Sequence, residues 1–167
     1  MELNRIECVS AENKCHNMEC SISRFKNRTK IVHLNCDIYE PIYSVLIKYT
    51  VYYKFRTLYR KFLIDGTENI CNYLKNNSKV VSPLFDSLVQ YAPKRLVHPC
   101  PFNGSIYVDM DISTIKIKNL PMPTGQYRVD LELFNGNPKN EKNAIIIYQT
   151  YITVPAGKSV DEFTLSG

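Results

Sequence analysis

Apolar and polar positions alternate with a period of two along most of the chain, the mark of half-buried strands. From Tyr43 to Tyr53, the residues Tyr43, Val45, Ile47, Tyr49, Val51 and Tyr53 fall on one face. Ser44, Lys48, Thr50 and Tyr52 fall on the other. Ile106, Val108, Met110 and Ile112 alternate with Tyr107, Asp109 and Asp111, and Val129, Leu131 and Leu133 with Arg128, Asp130 and Glu132. The run from Ala144 to Val154 is apolar on both faces in its first half, as a central or doubly covered strand is. Cys20 to Phe25 and Lys30 to Tyr39 flank Lys26-Asn27-Arg28-Thr29 and predict a hairpin.

Helical spacing occurs from Ser82 to Tyr91, where Leu84, Phe85, Leu88 and Val89 share a face. Ser82 suits the cap, Pro83 the first helical position and Pro93 the stop. Asn69 to Leu74 predicts a shorter helical turn. Strands, a short helical insertion at about 69–92, then more strands describe a mainly β fold. The expectation is a two-sheet antiparallel sandwich forming one domain over 1–160, with a C-terminal tail at 161–167.

Composition agrees. The chain has 167 residues, 44% hydrophobic and 22% charged, which suits a folded domain with a real core. No apolar run is long enough to span a bilayer as a helix, so stable membrane insertion is not expected. The six glycines make no phosphate-cradling motif. The net charge of +5 is modest and spread along the chain.

Cys8, Cys15, Cys20, Cys36, Cys71 and Cys100 form an even set without the paired spacing that zinc sites use, so three disulfides and an oxidising compartment are expected. Asn27, Asn76 and Asn103 head sequons in turn-like segments, where a glycan is tolerated. The segment Met1 to Cys8 has no apolar core of a signal peptide. Secretion is therefore expected with the leader removed or missing from the gene model.

Neither a catalytic set nor a metal or cofactor site is nominated. His98 opens the rigid turn His98-Pro99-Cys100-Pro101, His33 lies on a strand between Val32 and Leu34, and Asp109 with Asp111 forms a solvated face. Asp65-Gly66 predicts a turn. The stretch Lys54 to Phe62 interleaves cations and aromatics. It suits either the solvated side of an edge strand or, outside the cell, an anionic lipid head group; nucleic acid is not expected as a partner. Twelve tyrosines and no tryptophan provide rings with a polar tip, suited to lining a core or a ligand cavity.

Several motifs occur in the order of a known family. They are Tyr59 to Leu74, with Phe62-Leu63, Thr67, Cys71 and Tyr73-Leu74; then His98-Pro99-Cys100-Pro101-Phe102; then Pro121 to Arg128, with Gly125 and Tyr127. Upstream, Cys20 precedes an Asn27-Arg28 turn. The chain resembles a family of small secreted insect proteins of unknown function, similar to the CheA/CheB proteins linked to pheromone perception and to the ML lipid-recognition superfamily. It departs at Asn69, where the family often has aspartate, and in Cys15 and Cys36, which are additional to a four-cysteine core. The resemblance implies an immunoglobulin-like (ML-like) β-sandwich, a signal peptide, disulfides and no enzyme activity.

The same resemblance implies a lipid or other hydrophobic small molecule bound between the sheets, without a cofactor, in a monomer whose further partner is a membrane receptor. Six cysteines allow fifteen pairings. The resemblance implies Cys71–Cys100, whose loop closure stabilises by about 3.6 kcal/mol on the chain-entropy account. Among the other four the pairing stays open, with Cys8–Cys20 and then Cys15–Cys36 taken as the expectation. Candidate cavity residues from the alternation are Val45, Ile47, Tyr49, Val51, Ile106, Val108, Met110, Val129, Leu131 and Leu133, with Leu84, Phe85 and Leu88 lidding one end. The alternative is an extracellular protein-interaction module with a closed, dry sandwich.

Overall fold

A computed structural model of the chain describes residues 2–10, 14–24, 30–76, 92–111, 116–117, 122–136, 143–156 and 163–164. The strands are β1 (Glu2–Ser10), β2 (His16–Arg24), β3 (Lys30–Ile42), β4 (Val45–Phe55), β5 (Leu58–Asn69), β6 (Phe102–Asp111), β7 (Lys116–Ile117), β8 (Gly125–Asn135), β9 (Ala144–Val154) and β10 (Phe163–Thr164). Among the described residues one α-helix, α1, spans Ile70–Asn76, and Lys94–Leu96 forms a single 3-10 turn. A five-stranded antiparallel sheet, ordered β1-β9-β8-β4-β5, faces a three-stranded one, β2-β3-β6. Residues 163–164, expected within a tail, form β10 and pair with β7.

The alternation sets the inward faces. Val45, Tyr49 and Val51 of β4 point in with Tyr127 of β8 and Ile146 and Ile152 of β9, opposite Val32, Cys36 and Ile38 of β3. Three expectations shift. Tyr43 lies outside β4 and is exposed, because the strand starts at Val45. Asp65 and Gly66 are not a turn: they sit within β5, opposite Thr50 and Tyr49. Asn103 lies within β6 rather than a turn, exposed beside Gly104. The predicted helix at 82–91, the 26–29 turn and Asn27 lie outside the described residues, as does the Asn76 side chain.

Helix α1 starts where the sequence provides a cap: the Asn69 Oδ1 accepts the Asn72 backbone N–H at 2.9 Å. Disulfides join Cys8 to Cys20, Cys15 to Cys36 and Cys71 to Cys100. The first ties the edge strands β1 and β2 across the sandwich, and the third ties α1 to the segment entering β6.

One end of the sandwich is filled by rings. Tyr127 is fully buried, edge-on to Tyr53 at 5.2 Å and to Phe62 at 5.7 Å, with its hydroxyl donating to the Pro123 carbonyl at 2.6 Å. Leu3, Val32, Val51, Met122, Ile152 and Val154 close around it.

Burial, with Tyr53 adding to it, pushes the Tyr127 hydroxyl up to about 12, and burial does the same at Tyr148. An unfolded tyrosine ionises near 10. The neutral rings therefore stabilise the fold fully below about pH 10, and this contribution is lost as pH rises toward about 12. Alkaline absorbance titration should resolve a class ionising at about 12, together with loss of near-ultraviolet dichroism. A single step near pH 10 with the fold intact would contradict this packing.

Candidate functional site: an apolar cavity between the sheets

The opposite end of the sandwich is not filled. A cavity of about 230 Å³ lies there. Its walls are Val45, Ile47 and Tyr49 of β4, Leu131 and Leu133 of β8, Ile145 of β9, Ile38 and Ile42 of β3, and Phe102 and Ile106 of β6. Ile70 and Leu74 of α1 close one side, with Ala92, Leu96 and Val97 beside them. All of these are aliphatic or aromatic, and Tyr49 supplies the one polar group among the fifteen lining side chains. Among the described residues no charged side chain lines the wall, and their surface offers burial of apolar groups.

Six of the sequence candidates meet here: Val45, Ile47, Tyr49, Ile106, Leu131 and Leu133. Four do not. Val51, Met110 and Val129 belong to the ring-filled end, and Val108 is buried without lining the cavity. They share the inward face, but face alone does not tell which end of a strand is packed. Leu84, Phe85 and Leu88 lie outside the described residues. The sequence reading missed Ile38, Ile42, Phe102 and Ile145 of the strands, and Ile70, Leu74, Ala92, Leu96 and Val97 of the cover; the alternation within Asp37-Ile38-Tyr39 was the available signal for the first.

The third disulfide borders this end. Cys71 and Cys100 both pack against the cavity-end cluster, and the Val45 backbone N–H donates to the Cys71 Sγ at 3.2 Å. The start of β4 is thus pinned to α1. A more polar groove of about 210 Å³ shares Ile38, Ile42 and Ile145 with the cavity, and adds Lys14, His16, Tyr39 and Glu40.

Residues 47–129 match a family model described as a protein of unknown function (DUF1091). No curated protein matches the chain. The matched span takes in β4 from Ile47, α1, both halves of Cys71–Cys100 and β6. It therefore includes one part of the cavity wall, while Ile38, Ile42, Val45, Leu131, Leu133 and Ile145 lie outside it.

A second constellation joins residues that the sequence reading left separate. On the outer face of β2-β3-β6, His33 stands opposite Asp109. Its Nδ1 is 2.6 Å from the Asp109 Oδ1 and its Nε2 is 2.6 Å from the Ser23 Oγ. Tyr107 donates its hydroxyl to the other Asp109 oxygen. The Tyr107 hydrogen bond first, and His33 after it, hold the Asp109 carboxyl below its ordinary value. The order hydroxyl, imidazole, carboxylate is that of a hydrolase triad. These four residues line neither the apolar cavity nor the more polar groove. Their bonds tie three strands together across an open face.

Gly66 shapes the cavity wall. The Tyr49 ring lies flat across it, and a Cβ at Gly66 would stand 2.2 Å from the Tyr49 oxygen. Alanine usually outperforms glycine in a strand. Here Gly66→Ala should destabilise by about 1–3 kcal/mol, because the ring must swing into the cavity. Urea unfolding checks this, and in a Tyr49→Leu background the cost should largely vanish. Equal costs in both backgrounds would refute the account.

Proposed function

We propose that the protein is a secreted, non-enzymatic binder or carrier of a hydrophobic small molecule held between its two sheets. The observation that carries this is the cavity, whose described wall is aliphatic and aromatic side chains without charge, at the end of the sandwich opposite the Tyr53, Phe62 and Tyr127 rings. Three disulfides suit an oxidising compartment. A packed, dry sandwich acting through its loops is less well supported, since its core would be filled at both ends.

The size narrows the ligand. A cavity of this volume suits a small apolar molecule or one short chain. Each buried methylene contributes about 0.8 kcal/mol, so a chain of this length is held without an ion pair. A single oxygen on the ligand has Tyr49 as its partner. The chemosensory setting and the ML relationship belong to this proposal through the family resemblance, and glycosylation at Asn27, Asn76 or Asn103 through the sequons.

The test is uptake of an environment-sensitive apolar dye by the disulfide-bonded protein, followed by displacement with single-chain alcohols of increasing length. Ile47→Phe fills the space of about one methylene. It should weaken uptake roughly fourfold, from about 0.8 kcal/mol of lost burial, while the unfolding midpoint holds or rises. Dye uptake that is absent, or unchanged in this variant, would overturn the reading.

A further inference from the structure

The β4–β5 hairpin carries residues that its own folding does not require. Phe55 pairs with Leu58 across a two-residue turn made by Arg56 and Thr57. Turns of this length need left-handed backbone, and glycine, asparagine and aspartate adopt it at least cost. Arg56 occupies it, with φ of +57°. A side chain with a Cβ is disfavoured there, so the turn holds a cation where glycine would fold better. Backbone strain of this kind points toward function at the strained residue.

The neighbours share a pattern. Phe55 and Leu58 are 51% and 64% exposed, and their pairing puts them on one face of the ladder. Arg60, opposite Tyr53, shares that face, with its guanidinium 5.3 Å from the Phe55 ring; that of Arg56 is 5.7 Å away. On the other face Lys54 lies 6.0 Å from the Tyr59 ring and donates to the Gln126 Oε1. Lys61 is paired with Asp65. Among the described residues, no carboxylate pairs with Lys54, Arg56 or Arg60.

We propose that this hairpin tip docks on an anionic lipid surface. Phe55 and Leu58 enter the head-group boundary, while Arg56, Arg60 and Lys54 meet the negative head groups. Charge complementarity selects an anionic partner. Leu58, an exposed aliphatic side chain that cannot stack on a base, selects lipid over a polyanion such as nucleic acid. Docking is peripheral: no described helix is long and apolar enough to cross a membrane. The tip lies at the opposite end of β4 from Val45 and Ile47, so the proposal is independent of ligand binding in the cavity.

Vesicle flotation of the full disulfide-bonded chain tests it, with phosphatidylcholine–phosphatidylserine vesicles against pure phosphatidylcholine. Binding to the former alone, released by salt, is expected. Arg56→Gly should weaken it about fivefold, the equivalent of roughly 1 kcal/mol per basic residue at such a surface, while thermal unfolding occurs at the same or a higher temperature. The pair Phe55→Ser and Leu58→Ser should weaken vesicle binding and leave retention on a polyanion resin unchanged. No binding to anionic vesicles, equal binding to neutral ones, or wild-type binding by either variant would overturn the proposal.

Discussion

The structure depends on covering a wide sheet with a narrower one. Strands stand about 4.8 Å apart, so the outermost axes of five strands span roughly 19 Å and those of three roughly 10 Å. The difference is about the width of one helix. Among the described strands, three therefore cannot cover the full width of five. Helix α1, seated beside the start of β4, supplies part of the missing cover. A helix held by one disulfide and a few aliphatic side chains fills space less completely than an interdigitating sheet.

The two ends of the sandwich answer this constraint differently. At one end the large rings of Tyr53, Phe62 and Tyr127 pack edge to face and take up the interlayer space. At the other, the described inward positions hold mainly isoleucine, leucine and valine beside Tyr49 and Phe102, and a space stays open between them. The disulfides hold both ends together: Cys8–Cys20 links the sheets at their edges, and Cys71–Cys100 anchors the helical cover.

The outer faces are less plain than the alternation suggests. Asp130 belongs to the polar row of β8, yet it is buried. Arg128 lies over the Tyr52 ring at 4.3 Å and reaches both Asp130 oxygens, at 2.8 and 3.0 Å, with the Nε contact out of line for a hydrogen bond. Burial outweighs Arg128 and holds the Asp130 carboxyl above its ordinary value. Tyr59 and Tyr151 meet edge-on, and Arg5 caps the Tyr151 ring. Tyrosines therefore cover charge on this face, as well as core on the other.

The sequence alone determined the local part of this protein. A period of two dictates which side chains share a face, so the strands, the two-layer sandwich and the inward set of β4, β6 and β8 were legible, as was a helical turn beginning at Asn69. Tertiary structure decided everything that depends on what lies opposite. The same inward face of β4 carries Val51 in a packed core and Ile47 in a cavity wall, and nothing in the alternation separates them. Gly66 reads as a turn residue until the Tyr49 ring is seen lying on it. His33 and Asp109 are ordinary polar positions until the β3–β6 register sets them side by side. Alternation is a property of one strand, whereas register, coverage and enclosed volume are properties of pairs of elements distant in the chain.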